Sequence, residues 1–533
     1  MFFGNKKLAS IAGTVWNDTD GDGIKDTGEP PLSGWTVYLD QVVNCQLDSG
    51  EPSTTTAADG TYRFSGLSSG IYRVREVLAG DWRRTSPAAG EHAVLLADGQ
   101  ALSGKDFGNR AIDPQTEVYF EAAMHEGSTG LDIGAAVAAD AAGNVYFAGI
   151  VEGVAVAAKY TSAGAPVWVR SFVGWFGTEG ADIAVDSAGN VYLTGSFRGT
   201  VDFNPGPGTF NLSSPNTDSA FVLKLDSAGN FLWARRQGGS TMNDRVESNG
   251  IAVDAAGNVF TTGSLQGTAD FDLSTAAGSL TSAGGRDVFV AKLDTAGNYG
   301  WAVRAGSTGD DRGQDIARDS AGNVYVTGKF LGTADFDPGS GTSNLTSNGS
   351  DDVFLWKLGT GGNLLGAQAI GGGPSETAGG IAIDAADGVY LTGSFWGDSD
   401  FDPGAGVCHL VSAGGSDVFV LRFNADLTLA WGVRMGGPFN DPVDVGTDLG
   451  VSIAADSAGS VFVTGTFRET SDFDPGSQTA NLTSAGLKDV FVVRLHDGTG
   501  AFAWAGRLGG SGQDQARAIA ADGAGNLYTT GEF

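Results

Sequence analysis

The residues best placed to do chemistry lie near the start of the chain, in Asn17-Asp-Thr-Asp-Gly-Asp-Gly-Ile-Lys-Asp-Thr-Gly-Glu29. Counted from Asp18, carboxylates fall at loop positions 1, 3 and 5 (Asp18, Asp20, Asp22), with Gly23 at 6, Ile24 at 7, Asp26 at 9 and Glu29 at 12. This is the spacing of a twelve-residue calcium loop. Alternate residues turn oxygens inward, the glycine permits a sharp bend, the position-7 carbonyl contributes, and the last glutamate can bind with both oxygens. Hard oxygen donors select calcium over zinc, and no His or Cys stands nearby. The competing reading is an acidic, glycine-rich turn that holds no metal. A second copy follows, Asp40-Gln-Val-Val-Asn-Cys-Gln-Leu-Asp-Ser-Gly-Glu51. Asp40, Asn44, Asp48 and Glu51 keep positions 1, 5, 9 and 12, and Gln46 offers the position-7 carbonyl. Val42 replaces the ligand at 3 and Cys45 the glycine at 6, so this loop is degenerate and expected to bind more weakly.

Strands, not helices, flank these loops. Ile11–Trp16, Trp35–Leu39, Thr61–Phe64, Tyr72–Val77 and His92–Leu96 alternate or are β-branched and aromatic, and Ala58-Asp-Gly60 and Ser69-Gly70 separate them as turns. Residues 1–110 are therefore expected to form a small antiparallel β-sandwich. The polar, proline-bearing stretch 111–116 reads as a domain joint.

The remainder, 117–533, repeats one phrase, Asp319-Ser-Ala-Gly-Asn-Val-Tyr-Val-Thr-Gly328, with copies starting at Asp140, Asp186, Asp254, Asp319, Asp384, Asp456 and Asp522. Self-similarity at this period decides the architecture. One repeat holds four short strands: a at Ile251–Asp254, b at Asn258–Gly263, c at Asp287–Leu293 and d at Tyr299–Arg304. Four strands per repeat of about 65 residues, with no helical period, describe a β-propeller blade. The Asp of each Asp-x-Ala-Gly-Asn turn is expected to hold turn amides, and the strand-d tryptophans (Trp168, Trp233, Trp301, Trp431, Trp504) to pack between blades. Tyr119–Thr129 aligns with a strand d and its following loop, while Ala516–Phe533 supplies strands a and b. Joined, they predict a seventh blade shared between the chain ends, closing the ring. The missing strand c predicts a chain cut short or followed by further repeats.

The long b–c segments carry Asp-Phe-Asp or Asp-Phe-Asn at Asp202/Asn204, Asp270/Asp272, Asp335/Asp337, Asp400/Asp402 and Asp472/Asp474. Either each acid pair holds a cation, or the Phe plugs the loop into its blade while the acids cap turns; the second reading is preferred. Catalysis has little support. His92, His125, His409 and His496 sit at unrelated repeat positions, and no zinc spacing, nucleophile elbow, phosphate loop or dinucleotide fingerprint occurs.

Composition narrows the partners. The formal charge of −31 disfavours nucleic acids and anionic membranes. No apolar run is long enough to span a bilayer, and Met1–Ser10 lacks a signal-peptide core. Cys45 and Cys408 fall in different predicted domains and are not expected to pair.

Two resemblances add to this. Gly13–Gly23, Asp59-Gly-Thr-Tyr-Arg-Phe-Ser-Gly-Leu67, Gly70–Glu76 and Asp106-Phe-Gly-Asn109 resemble the SdrD B-like (Cna B-like) domains of bacterial surface proteins. That resemblance implies a calcium-rigidified stalk or spacer on a secreted or wall-attached protein. The repeats resemble the SBBP β-propeller family of exported bacterial proteins, which implies fold and compartment but no uniform activity. The expectation is an all-β, non-catalytic extracellular or cell-surface protein. Its calcium-stabilised sandwich presents a propeller that binds or adheres to an extracellular protein or glycan. The rivals are a secreted propeller hydrolase or lyase acting on polysaccharide, and a purely structural spacer.

Overall fold

The computed structural model describes residues 7–19, 23–41, 47–48, 50–78, 82–87, 90–111, 132–152, 154–172, 175–176, 182–272, 278–438, 448–456 and 458–532. All regular structure among them is β, and the chain divides into two compact units, Met1–Tyr119 and Phe120–Phe533.

The first unit is a two-sheet sandwich. One sheet runs Thr61–Leu67, Ala9–Asn17, Phe107–Ala111, Trp82–Ser86; the other runs Ser53–Thr55, Thr36–Leu39, Gly70–Glu76, His92–Leu96. Inward side chains of both sheets (Ile11, Val15, Val37, Leu39, Tyr62, Phe64, Val74, Val94, Phe107) form one core. The sheets are not purely antiparallel as expected. Ala9–Asn17 pairs in parallel with Phe107–Ala111 and with Ala101–Leu102, so the first and last strands of the unit lie side by side. Parallel neighbours need a crossover between them, and here the whole intervening unit is that crossover.

The second unit repeats one sheet. Six sheets follow each other with strands in sequence order a-b-c-d, the third being Arg245–Val253, Val259–Gln266, Asp287–Leu293, Tyr299–Ala305; five are four-stranded, and in the second strand a is split into Trp175–Phe176 and Asp182–Val185. Two further strands, Gln515–Ala521 and Leu527–Glu532, pair with each other. The a strands touch in order around a ring, and Gln515–Ala521 contacts both Leu449–Ala455 and Ile133–Ala139. The strand d expected from Tyr119–Thr129 lies outside the described residues.

The b–c segments are themselves β-structured in the second to sixth sheets. In the third, fourth and sixth sheets they form two-stranded ribbons, such as Thr268–Asp270 with Ser279–Thr281. In the second and fifth, strands b and c run on to 12 and 15 residues. Alternation explains this: outward Thr333 and Thr346 hydroxyls bond across the ribbon, while Ala334 turns into the core.

The turn aspartates hold the a–b hairpins. Asp186 Oδ1 accepts from the Ala188 and Asn190 amides (both 2.9 Å), and Oδ2 from Asn190 Nδ2 (2.8 Å) and the Tyr192 hydroxyl (2.9 Å). Burial opposes ionisation of Asp186, but these bonds outweigh it and hold the carboxyl below its ordinary value. Asp186→Ala leaves the buried Tyr192 hydroxyl and two turn amides without their acceptor. We expect a loss of about 1–3 kcal/mol in urea unfolding at pH 7. In the wild type this stabilisation is present above the unfolded carboxyl pKa and disappears as pH falls through the lowered folded one.

Neighbouring sheets are latched at their outer strands. Trp168, Trp233, Trp301 and Trp431 each donate the indole N–H to a carbonyl of the next sheet's c–d turn (Ser227, Thr295, Thr360, Asp497; 2.7–3.1 Å). The rings lie against turn glycines: a Cβ on Gly297 would sit 2.9 Å from Trp233. That residue has a left-handed φ of +77°, so the turn requires glycine on two counts.

Candidate functional sites: acidic loops and two inner-strand acids

Of the first loop, Asp18, Ile24, Asp26 and Glu29 are described; Asp20 and Asp22 are not. Asp18 is fully buried at the end of the first strand, and its Oδ2 accepts from the Gly23 amide at 2.8 Å. Gly23, at loop position 6, has φ +78°, the left-handed bend that position demands. Ile24 keeps its side chain exposed. Glu29 closes the loop: Oε1 accepts from the Thr19 amide (2.7 Å) and Oε2 from the Asp26 amide (3.0 Å).

The second loop repeats this brace. Glu51 Oε1 accepts from the Gln41 amide (2.6 Å) and Oε2 from the Asp48 amide (3.1 Å), so loop positions 2 and 9 donate to position 12 in both. Asn44 and Gln46 lie outside the described residues. The loops differ at position 1. The buried Asp40 is paired with Arg75 (2.9 Å), which also pairs with Glu91. A guanidinium already supplies the charge that a cation would bring.

The Asp-Phe-Asp segments follow the structural reading. Phe203, Phe271, Phe336, Phe401 and Phe473 are all buried. The leading acid caps the turn: Asp335 Oδ1 accepts from the Asp337 (3.0 Å) and Ser343 (2.8 Å) amides, and Asp337 Oδ1 from Gly339 (2.8 Å).

Sequence reasoning missed two acids on the inner strands. At the position four before each turn Asp, the repeats carry Ala136, Asp182, Gly250, Asp315, Gly380, Ser452 and Ala518. Asp182 Oδ2 reaches to the Ile251 amide of the next sheet (2.8 Å), and Asp315 Oδ2 to that of Ile381 (2.9 Å). Each carboxylate therefore lies over the glycine of the following a strand; a Cβ on Gly380 would stand 3.3 Å from Asp315 Oδ2. Both keep some accessible surface, yet protein surrounds them. Burial pushes both carboxyls up, and Asp315 raises Asp182 further. Aligning the repeats and asking which copy breaks the consensus would have revealed them.

The histidines do not converge among the described residues. His92 bonds the Asp106 carbonyl (2.8 Å) in the first unit, and His409 bonds Asp398 (2.9 Å) in the second. An apolar cleft between the first and second sheets is lined by residues including Ile133, Ala148, Phe172, Leu193 and Phe221, with no titratable group. Among the described residues, no three His, Cys, Asp or Glu side chains converge as a metal cluster, and no helix is long and apolar enough to cross a membrane.

This geometry is that of a β-propeller preceded by a β-sandwich. Residues 9–114 match the SdrD B-like domain model, and residues 300–329 and 503–532 match the beta-propeller repeat model. Serine-aspartate repeat-containing protein C of Staphylococcus aureus (strain N315) is 33% identical over 112 residues, covering 21% of this chain and 11% of that protein. The uncharacterized WD repeat-containing protein L264 of Acanthamoeba polyphaga mimivirus is 25% identical over 383 residues, covering 62% of this chain and 27% of that one. The chain thus spans between about a tenth and a quarter of the length of these curated relatives. Among solved structures, quinohemoprotein alcohol dehydrogenase from Comamonas testosteroni aligns at TM-score 0.37 and 11% identity, covering 75% of this chain and 73% of that one. Regucalcin from Agrobacterium tumefaciens, described as a calcium-binding protein, aligns at TM-score 0.29 and 13% identity, covering 64% and 88%. Similarity this distant carries nothing about activity or ligand.

Proposed function

We propose that this chain is a non-catalytic bacterial surface protein in which a calcium-braced sandwich carries a propeller that binds an extracellular protein or glycan. The observation that carries the calcium reading is the shared brace, in which Glu29 and Glu51 each tie loop positions 2 and 9 together. A carboxylate offers about four acceptor sites, so two amide bonds leave room for both oxygens to bind an ion. In the first loop Asp18, Asp20, Asp22, Asp26, Glu29 and the Ile24 carbonyl would hold calcium. Such an ion would neutralise carboxylates whose repulsion otherwise loosens the loop. In the second, the Arg75 pairing of Asp40 favours weaker binding or none. The surface location is supported by the SdrD B-like match.

Calorimetric titration of the full chain with calcium tests this reading. Asp20→Ala with Glu29→Ala is expected to remove the tightest site. At calcium a thousand-fold above Kd, wild type is expected to gain about 4 kcal/mol in the first unit's unfolding, and the variant none. Unchanged binding in the variant would end the stalk reading. One observation favours the rival polysaccharide hydrolase: Asp182 and Asp315 are unlike their repeat counterparts and interact through their charges. Turnover of a polysaccharide that Asp182→Asn abolishes would replace the binding reading.

A further inference from the structure

A second pair of acids stands where strand c of the fourth sheet begins and strand a of the fifth begins. Asp352 opens strand c (Asp352–Leu358) and is 1% exposed; Glu376 lies in strand a (Ser375–Ile383) and is 0% exposed. Asp352 Oδ2 accepts from the Asn348 amide (3.0 Å), and Glu376 Oε1 from the Gly373 amide (2.8 Å) and the Ser399 hydroxyl (2.5 Å). The other oxygen of each, Asp352 Oδ1 and Glu376 Oε2, is buried with no hydrogen-bond partner among the described residues. The Glu376 amide donates to the Asp351 carbonyl (3.1 Å), which sets Glu376 beside the residue preceding Asp352. Burial, then the charges of Glu376 and Asp351, push Asp352 up to about 6 against its amide bond.

The sister sheets carry the same strand-c acid but balance it. Asp287, Asp417 and Asp489 also leave Oδ1 without a partner, yet each pairs through Oδ2 with an arginine of strand d: Arg304, Arg434 and Arg507. At that position the fourth sheet has Ala369. Two of their partner acids are also better satisfied. Asp311 takes the Ser307 and Leu331 amides on its two oxygens (2.5 and 2.9 Å), and Asp448 those of Gly437 and Arg468 (3.0 and 3.3 Å). Glu376 is one methylene longer, and its second oxygen finds no such amide. The nearby Lys329 is taken by Asp351 (2.6 Å). Among the described residues, no Lys, Arg or His pairs with Asp352 or Glu376. Two buried negative charges without a counterion cost several kcal/mol each, so the site lacks a positive charge.

Gly371 has φ +122°, and a Cβ there would stand 3.0 Å from Glu376 Oε2, so only glycine leaves the unpartnered oxygen uncrowded. We propose that Asp352 and Glu376 bind a divalent cation, calcium by its oxygen donors, at the junction of the fourth and fifth sheets, where it replaces the arginine of the sister sheets. Two carboxylates neutralise the ion's charge, and backbone carbonyls and water complete the six to eight oxygens calcium takes. This site is independent of the loops in the first unit.

The test uses the full chain with Asp20→Ala and Glu29→Ala already in place, so the first loop cannot contribute. Bound calcium is counted by equilibrium dialysis with elemental analysis and by calorimetry, with or without Asp352→Asn and Glu376→Gln. The isosteric pair is expected to lose one equivalent of calcium per chain. It should also abolish the calcium-dependent rise of the propeller's melting temperature, while melting no lower than its parent in chelator. Ala369→Arg, which keeps both carboxylates and restores the sister sheets' guanidinium, is expected to lose the same equivalent. Equal calcium counts in all three proteins would overturn the proposal. So would a parent whose propeller melts at the same temperature in calcium and in chelator.

Discussion

Phe336→Ala is expected to destabilise the propeller by about 3–5 kcal/mol, the range for emptying a buried aromatic site. Phe336 is fully buried although it belongs to the acidic Asp335-Phe-Asp337 segment. Its ring meets Phe330, Phe354 and Trp356 at centroid distances of 5.7, 5.1 and 5.8 Å, edge-on or tilted. It therefore joins the b–c ribbon to the core that the fourth sheet shares with the third. Asp335 adds two amide bonds that hold the plug in register. Urea unfolding monitored by tryptophan fluorescence should show the loss in the propeller transition, with that of the first unit unmoved. A change below about 1 kcal/mol, within the ordinary surface range, would mean that the ribbon is not anchored this way. Phe336→Leu, which keeps most of the volume, should recover more than half of the loss.

Asp182→Asn with Asp315→Asn is expected to stabilise the propeller at pH 8 and leave it nearly unchanged at pH 4. Burial raises both carboxyls in the folded chain, and the charge of Asp315 adds to the rise at Asp182. The folded state thus keeps protons that the unfolded chain gives up. By linkage, stability falls as pH rises from the unfolded value near 4 through the raised folded values, up to about pH 7. A tenfold change in a group's proton affinity on folding corresponds to about 1.4 kcal/mol. After discounting for solvent screening of these partly exposed groups, the double variant should gain on the order of 2 kcal/mol at pH 8. The amide oxygen of asparagine can still accept from Ile251 or Ile381, which keeps the inter-sheet bonds, while the Oδ1 bonds from the Ile183 and Ile316 amides are given up and reduce the gain. Denaturant midpoints from pH 4 to 8 decide the matter. A difference between wild type and variant that does not change over that range would remove these acids as the source. Asp352 and Asp448, raised for related reasons, act with the same sign in both proteins and cancel in the comparison.

Much of the architecture is legible in the residues. The copies of Asp-x-Ala-Gly-Asn mark the repeat, because an aspartate that satisfies turn amides and a glycine at positive φ leave a short hairpin few alternatives. Alternation marks the strands, and the Asp-Phe-Asp phenylalanines are legible as plugs, since a large ring among acids has little reason to recur unless it is buried. The spacing from Asp18 to Glu29 also marks the loop whose brace the structure displays. What does not show are relations between distant residues. The parallel pairing of Ala9–Asn17 with Phe107–Ala111 depends on how a whole unit folds back. Asp182 and Asp315 are ordinary acids in sequence and become an interacting pair only because the a strands converge on one axis. Glu376 differs from its counterparts by one methylene, and Ala369 from its own by a missing guanidinium. Local propensity sets hairpins and burial periodicity, both of which act within a few residues. Whether a buried charge has a counterion is decided by neighbours many residues away, and that only the tertiary structure could determine.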